Sequence, residues 1–353
     1  MPKLLIFSDL HLHNHKRSNE RLDDCLQTLN WIFETAEKRE VPYIICVGDL
    51  FHTRQKVDVL TYQRAFELFE QHNKSKIHLL IGNHDMWYEH NWDVSSIIPL
   101  GVLPHVNVVI APTTVDIDGF PVSFLPYTKD PIESLKKIKS RELLFAHVAV
   151  NGAILNTRAN TFSEEFIEHD GEMVKIDNKV FDGWKRVFLG HYHHHQEITK
   201  QMWYVGSPLQ LSYGEAFDKK YIIIYDTDTD TPELVENNFS PKHFVINPEQ
   251  INHYQFGKRA FIRIQVSDIN SPENLEIQNS VLNLCENASE IKIEPTKKKI
   301  VENKQLVEDA QAILRDDEEM AQKYIDQVGN TNLDRAQLLS IFNLIRMKRE
   351  INV

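Results

Sequence analysis

Five short clusters of residues able to hold a metal punctuate the first two hundred positions: Asp9-Leu10-His11, Gly48-Asp49, Gly82-Asn83-His84-Asp85, His147 and Gly190-His191-Tyr192-His193. Seven side chains among them, Asp9, His11, Asp49, Asn83, His147, His191 and His193, offer imidazole or oxygen donors of the kind divalent transition metals accept. Seven donors are too many for one ion and suit two ions that share a carboxylate. Two ions about 3.5 to 4 Å apart polarise a phosphoryl group and activate water, so the chemistry indicated is phosphoester hydrolysis. Each cluster taken alone reads more simply. Asp-x-His is commonly a turn with a surface histidine, and His147 by itself is as well explained as a satisfied core histidine. Together the clusters resist that reading, because gathered and buried Asp and His are costly without a cation among them.

Something must bring the clusters together. Each follows a short apolar run, and such runs recur at 4–8, 43–47, 78–81, 106–110, 122–125, 143–146, 187–189 and 221–225, as strands buried on both faces do. In an α/β sheet the carboxyl ends of the strands line the ligand crevice, which is where these clusters fall. Gly48, Gly82 and Gly190 immediately precede candidate ligands, where a missing Cβ permits a sharp turn and close crowding. Between the first two strands, Leu22, Leu26, Leu29, Phe33 and Ala36 form a helical stripe that ends before Pro42. Tyr62, Phe66 and Phe69 mark a second helix. The order strand, helix, strand, helix, strand predicts an α/β layered fold with a largely parallel start. Asp118-Gly119 between two apolar runs signals a hairpin, so later strands are expected to be more antiparallel and the sheet mixed.

The Asn-, Asp- and Pro-rich stretch 228–257 reads as a linker. Beyond it, a strand at 260–266, a helix opening at Ser271-Pro272-Glu273 and a strand at 290–294 make a small strand-helix-strand unit. Residues 300–349 hold two helix candidates joined by Gly329-Asn330-Thr331-Asn332.

Length and composition bound the rest. The 353 residues, 42% of them hydrophobic, exceed one compact unit and exclude a disordered or fibrous chain. With 39 Lys plus Arg against 51 Asp plus Glu, the net charge is -12, so a polyanionic substrate must be held by local basic groups or by cations. Cys25, Cys46 and Cys285 form no Cys-x-x-Cys pair, the opening MPKLLIFSDL turns polar too soon for a secretory signal, and no apolar run approaches the roughly 20 residues that span a bilayer. A reduced, soluble, cytoplasmic protein, in a bacterial cell or a phage-infected host, is expected.

The succession Asp-x-His, Gly-Asp, Gly-Asn-His-Asp, a later His and Gly-His-x-His resembles the calcineurin-like metallophosphoesterases over about residues 4–213. Asp9-Leu10-His11-Leu12, Gly48-Asp49-Leu50-Phe51-His52, the Asp form of Gly82-Asn83-His84-Asp85, and Gly206-Ser207-Pro208 look in particular like the SbcD-type DNA nuclease subunits, including phage-encoded ones. That resemblance implies a four-layer α/β/β/α sandwich with mixed sheets over 1–240, a small α/β capping domain over 250–298 that binds DNA, and a helical tail over 300–353 that docks an ATPase. It implies that Asp9, His11 and His193 hold one ion, that Asn83, His147 and His191 hold the other, and that Asp49 bridges them, with Mn²⁺ favoured and Mg²⁺ acceptable. His84 matches a catalytic histidine that stabilises the transition state or protonates the leaving oxygen, Asp85 would orient its ring, and His52 would position the DNA backbone. Two positions depart from the pattern. Ala146 and His13 stand where such proteins often carry glycine, and His13, His15, His194 and His195 are left outside the site. Arg17, Arg54 and Lys56 follow site loops and are candidates for phosphate contacts.

The function expected is a two-metal DNA nuclease, a 3'-5' exonuclease and/or single-strand endonuclease, acting in DNA recombination, repair or replication. No Gly-x-x-x-x-Gly-Lys-Ser/Thr run occurs, so ATP dependence is expected from a separate SbcC-type coiled-coil ATPase. A homodimer is implied as well, with the faces around Leu22 to Phe33 and Tyr62 to Phe69 as candidate contacts, unless they cover the sheet. The rival readings are a phosphatase or cyclic-nucleotide phosphodiesterase on the same metal core, and a scaffold that has lost its metals. The second sits poorly with a full set of ligand positions and His84.

Overall fold

The computed structural model describes residues 2–14, 19–88, 91–154, 176–257, 259–285 and 287–296. The elements, in chain order, are β1 (Lys3–Phe7), α1 (Asn19–Lys38), β2 (Tyr43–Cys46), α2 (Val59–Gln71), β3 (Lys76–Leu80), β4 (Val106–Val109), β5 (Thr113–Ile117), β6 (Phe120–Leu125), α3 (Pro131–Lys136) and β7 (Leu143–His147). They continue with β8 (Arg186–Gly190), β9 (Gln196–Glu197), β10 (Met202–Tyr204), β11 (Tyr221–Asp226), β12 (Thr231–Glu236), β13 (His243–Ile246), β14 (Phe261–Val266), α4 (Glu273–Leu284) and β15 (Glu290–Pro295).

Two six-stranded sheets carry the fold, ordered β12-β11-β1-β2-β3-β4 and β5-β6-β7-β8-β10-β9. Strand period two explains why they stack. Leu4 and Ile6 of β1 face the second sheet and pack with Phe124, Phe145 and Phe188. Leu5 and Phe7 face the other way, onto Leu22, Leu29, Phe33 and Phe69 of α1 and α2. The far face of the second sheet, with Leu144, Ala146, Val187 and Leu189, is covered by Leu135 of α3 and by Phe181 and Trp184. Helices, sheet, sheet and a thin outer layer of α3 with loops make the four layers, and the short apolar runs are buried on both faces because each sheet is sandwiched.

Within the sheets β1 to β4 pair in parallel, as do β6 with β7, β7 with β8 and β8 with β10. The antiparallel character expected of the later strands is therefore confined to the sheet margins, at β5–β6, β9–β10 and β11–β12, with β11 also running against β1. Crossovers through α3 and through the segment after β7 supply the long connections that parallel pairing demands. The Asp118-Gly119 hairpin forms as expected, with Asp118 and Gly119 both at positive φ.

Two expectations need correction. The stretch 228–257 is more than a linker, because it contains β12 and β13. β12 lies at the sheet edge with none of its residues buried, so its polar Thr-Pro-Glu-Leu-Val-Glu sequence and its proline are tolerated there and leave no apolar run to read. β13 opens the third sheet, β13-β14-β15, so that unit begins before residue 250. All three of its strands are parallel, and Val281 and Cys285 at the α4 side pack on Ile262 and Ile264. It meets the sandwich at Arg259, which donates to Asp24 at 2.7 Å, and at Arg263, 4.0 Å from the Tyr213 ring. The second correction concerns dimer contacts. The α1 stripe is buried against the first sheet and so covers it, while Tyr62 and Phe66 of α2 pack beside it only partly buried. The tail at 300–353 and Arg17 lie outside the described residues.

One buried histidine of the first sheet makes stability sensitive to pH. His78 is 6% exposed, accepts from Asn107 at 3.0 Å and stacks on Phe124, and burial, assisted by Lys76, lowers its pKa to about 4. The unfolded chain takes up that proton near pH 6.5, so the stability His78 contributes is fully present above 6.5 and is lost as pH falls toward 4. His78→Gln is expected to remove up to about 3 kcal/mol of the acid loss seen in denaturant melts between those pH values. An identical pH dependence in the two proteins would contradict the assignment.

Candidate active site

The five clusters meet at the carboxyl ends of β1, β2, β3, β7 and β8. The loops after β1 and β2 run side by side, with the amides of Asp9, His11 and Leu12 donating to the carbonyls of Gly48, Asp49 and Leu50 at 3.0, 3.1 and 2.8 Å. Asn83, His84 and Asp85 form a single 3-10 turn after β3, while His147 is the last residue of β7 and His191 follows the last residue of β8. Asp9, His11, Asp49 and His191 all have positive φ, at 53°, 51°, 53° and 100°. Four left-handed non-glycine residues in one cluster store roughly 1 to 3 kcal/mol each and are held there by the surrounding structure, as strained backbone at working sites is. Gly48 shares that conformation, at φ 99°. Gly82 does not, and serves by close approach instead, since a Cβ there would collide with the Asp49 carboxylate.

Two groups of donors result. Atoms of Asp9, His11 and His193 lie within 4.8 Å of one another, as do atoms of Asp49, His147 and His191. His11 Nε2 faces His193 Nε2 at 3.0 Å. The Asn83 side-chain oxygen is 2.9 Å from His147 Nε2 and 3.0 Å from His191 Nδ1, which places Asn83 in the second group. Asp49 reaches both groups, its Oδ2 lying 3.7 Å from His11 Nε2 and 3.3 Å from His147 Nε2, while its Oδ1 accepts from the His84 amide at 2.8 Å. Asp9 is braced by the His191 amide, which donates to both of its oxygens at 3.0 and 3.1 Å. Of the seven metal donors, all except the half-buried His193 are 6% exposed or less.

The donor set fits cations. His147 Nδ1 sits 2.7 Å from the Val47 carbonyl, which can only accept, so the ring proton is there. A neutral His147 then directs its Nε2 lone pair at the oxygens of Asn83 and Asp49, lone pair against lone pair, unless a proton or a metal lies between. Burial works against charge on His147, but Asp49 outweighs it and raises its pKa to about 10. His193 repeats the arrangement. Its Nδ1 is 3.1 Å from Glu215, leaving Nε2 to face His11. Burial pushes Asp9 up, whereas His147 and His84 overcome burial at Asp49 and hold it well below the usual carboxylate range. His11 is driven well below its usual value by burial and by His84 and His193. Protons and metal ions compete for the same lone pairs.

His84 and His52 stand beside the two groups, with ring centroids 5.7 Å apart and planes nearly parallel. The His84 ring is held at Nδ1 by the His52 carbonyl, at 2.6 Å. This corrects the role expected of Asp85. That carboxylate accepts from the amides of Leu50, Phe51 and Gly82 at 3.4, 3.1 and 3.0 Å, so it braces two loops, and burial together with Asp49 raises its pKa to about 7. His52 Nδ1 lies 3.3 Å from His11 Nδ1, and burial and His84 lower its pKa to about 3. A further group of three, His11, His52 and His84, has atoms close enough for an ion but contains no carboxylate. Arg54 and Lys56 lie on the loop after His52, Arg54 partly buried and Lys56 exposed. His13, left outside the site, packs its ring 4.9 Å from His52, whereas His194 pairs with Asp218.

Sequence reasoning missed Glu215, Lys220 and Tyr127. Glu215 is 1% exposed, accepts from His193 and from the Leu211 amide, and pairs with buried Lys220 at 2.6 Å. Against the pull of burial, Lys220 and His193 hold Glu215 well below the usual carboxylate range. A carboxylate behind a metal-facing histidine fixes its tautomer and orientation. Tyr127 stacks on His191 at 6.1 Å. No spacing in the chain points to any of the three, because all act across the fold.

A fold of two stacked sheets with Asp, Asn and His at their carboxyl ends defines a metallophosphoesterase, and residues 2–223 match the family model of the calcineurin-like phosphoesterases, to which this chain belongs. The chain is 26% identical over 244 residues to exonuclease subunit 1 of Enterobacteria phage T4, covering 67% of this chain and 68% of that protein. Among solved structures it is similar to the Pseudomonas putida nuclease MPE, at 12% identity and a TM-score of 0.28 over 66% of this chain and 87% of that one. It is also similar to the E. coli phosphoesterase YfcE, at 13% identity and a TM-score of 0.31 over 67% and 100%. Among the described residues no helix is long and apolar enough to cross a membrane.

Proposed function

We propose that this chain is a DNA nuclease that hydrolyses phosphodiester bonds with two divalent cations, Mn²⁺ preferred and Mg²⁺ accepted. The observation that carries the reading is the pair of donor groups joined by Asp49. Asp9, His11 and His193 would hold one ion, Asn83, His147 and His191 the other, and Asp49 both. The pair of ions, when bound, polarises the phosphoryl group and makes water nucleophilic near neutral pH. The chain's own residues do the rest. With Nδ1–H fixed on the His52 carbonyl, a protonated His84 presents Nε2–H to the phosphoryl oxygens or to the leaving oxygen, as an electrostatic donor or general acid. His52 lines the approach to it and positions the DNA backbone, with Arg54, Lys56 and Arg17 as phosphate contacts.

The choice of DNA over a small phosphoester is supported by the likeness to a phage protein named as an exonuclease subunit. That name also supports a complex, in which this chain supplies cleavage at a 3' end or within single strands. An SbcC-type ATPase would dock on the 300–353 tail, and a homodimer would form through some surface other than the sheet-covering faces of α1 and α2. Purified protein incubated with Mn²⁺ is expected to release label from end-labelled single- or double-stranded DNA and to lose that activity in EDTA. Hydrolysis of a chromogenic phosphomonoester with DNA left intact would overturn the reading in favour of a phosphatase.

A further inference from the structure

The turn that carries His84 and Asp85 continues into a loop in which two of the aromatic side chains, Trp87 and Tyr88, are largely exposed to solvent. Trp87 is 45% exposed and Tyr88 50%, and Val94 opposite them is 47% exposed. This is an expensive surface for a soluble protein to leave open without a use. It is not a loose one. Met86 pairs antiparallel with Ser95, the Trp87 amide donates to the Val94 carbonyl at 3.0 Å, and the Ser96 amide donates to the Asp85 carbonyl at 2.9 Å. Trp92 Nε1 donates to the Tyr127 carbonyl at 2.7 Å, and the Tyr127 ring stacks on His191, so the loop is tied to the floor of the metal site. Trp87 is three residues from His84, which puts the two within about 11 Å of each other even if that chain were fully extended.

We propose that Trp87 and Tyr88 form a stacking platform for unpaired bases beside the scissile phosphate, and that the site thereby takes single-stranded nucleic acid. The proposal rests on the nuclease reading above. Its physical basis is position and charge. Whatever extends from a phosphodiester seated near His84 is a nucleotide, and its base needs a surface within the reach of Trp87. A chain of net charge -12 gains little from a general field, whereas stacking on an aromatic ring contributes about 1 to 3 kcal/mol per base and does not depend on charge. A paired base has both faces covered by its neighbours and cannot use the platform.

The test compares the full chain, loaded with Mn²⁺, on a short single-stranded oligonucleotide and on an abasic strand of the same length. Wild type is expected to favour the base-bearing strand by roughly 10-fold or more in kcat/KM. In Trp87→Ala that ratio should fall toward one, chiefly through KM, and Trp87→Phe should restore most of it. Because the loop is held by backbone hydrogen bonds, these surface substitutions leave the fold and metal content intact, which elemental analysis and circular dichroism verify. An unchanged ratio in a Trp87→Ala, Tyr88→Ala double variant would overturn the proposal and assign the patch to a protein contact. Wild-type protein that hydrolyses a small phosphodiester but leaves every DNA intact would overturn the nuclease reading itself, and the proposal with it.

Discussion

His84→Ala is expected to lower turnover of DNA by 10²-fold or more while leaving the metal content unchanged. The ring is bonded to a backbone carbonyl through Nδ1, and the Asp49 carboxylate accepts from the His84 amide, a bond the substitution keeps. Removing the ring therefore deletes a donor while that amide bond to Asp49 stays in place. Loss of one general acid or transition-state donor typically costs 10² to 10⁴ in rate, and because the interaction is made in the transition state the loss falls on kcat. Steady-state kinetics with elemental analysis on the same preparation decide it. A variant that has lost an ion would reassign His84 as a ligand, in the three-histidine group with His11 and His52.

Glu215→Leu is expected to cost about 3 to 5 kcal/mol of stability, the usual consequence of leaving one member of a buried ion pair without its partner. Lys220 is 4% exposed, 2.6 Å from Glu215, and also donates to the His193 carbonyl and to Ser207, so its ammonium has no route to water when the carboxylate is removed. Glu215→Gln separates the two roles of this residue. It keeps an acceptor for His193 Nδ1–H and should fold, but it lacks the charge that makes His193 a stronger base. Affinity for metal should then fall roughly 10- to 100-fold, the range for removing a partner of a ligating histidine. Chemical denaturation of the metal-free protein and metal titration of the folded variant read the two effects apart. Full stability in Glu215→Leu would show that Lys220 finds another partner and that the pair is not a structural element.

The parts of this fold that were legible in the sequence are those that local chemistry dictates. Short Val/Ile/Leu runs gave the strands of both sheets because the sandwich buries both faces of each, and the stripe from Leu22 to Ala36 gave α1 because only one of its faces meets the sheet. Clusters after strand ends gave the site because strand carboxyl ends of the two sheets meet there. What stayed hidden depends on tertiary neighbours. β12 is an edge strand with a solvent-facing, polar sequence, and it reads as a loop until β11 is placed beside it. The family resemblance implies that Asp85 orients the His84 ring, yet its carboxylate turns to the amides of Leu50, Phe51 and Gly82. Glu215 reaches His193 across 22 residues and carries no local mark of doing so. The left-handed backbone at Asp9, His11, Asp49 and His191 is likewise visible only in the structure, although Asp and His are among the residues that tolerate it.

The most direct test of the account is a count of metal ions. Protein stripped with chelator, reloaded with Mn²⁺ and desalted is expected to carry two ions per chain by elemental analysis. Anomalous scattering from crystals of that material should then find them about 3.5 to 4 Å apart, on either side of the Asp49 carboxylate. A single ion held by histidines alone, with Asp49 outside its coordination sphere, would contradict it.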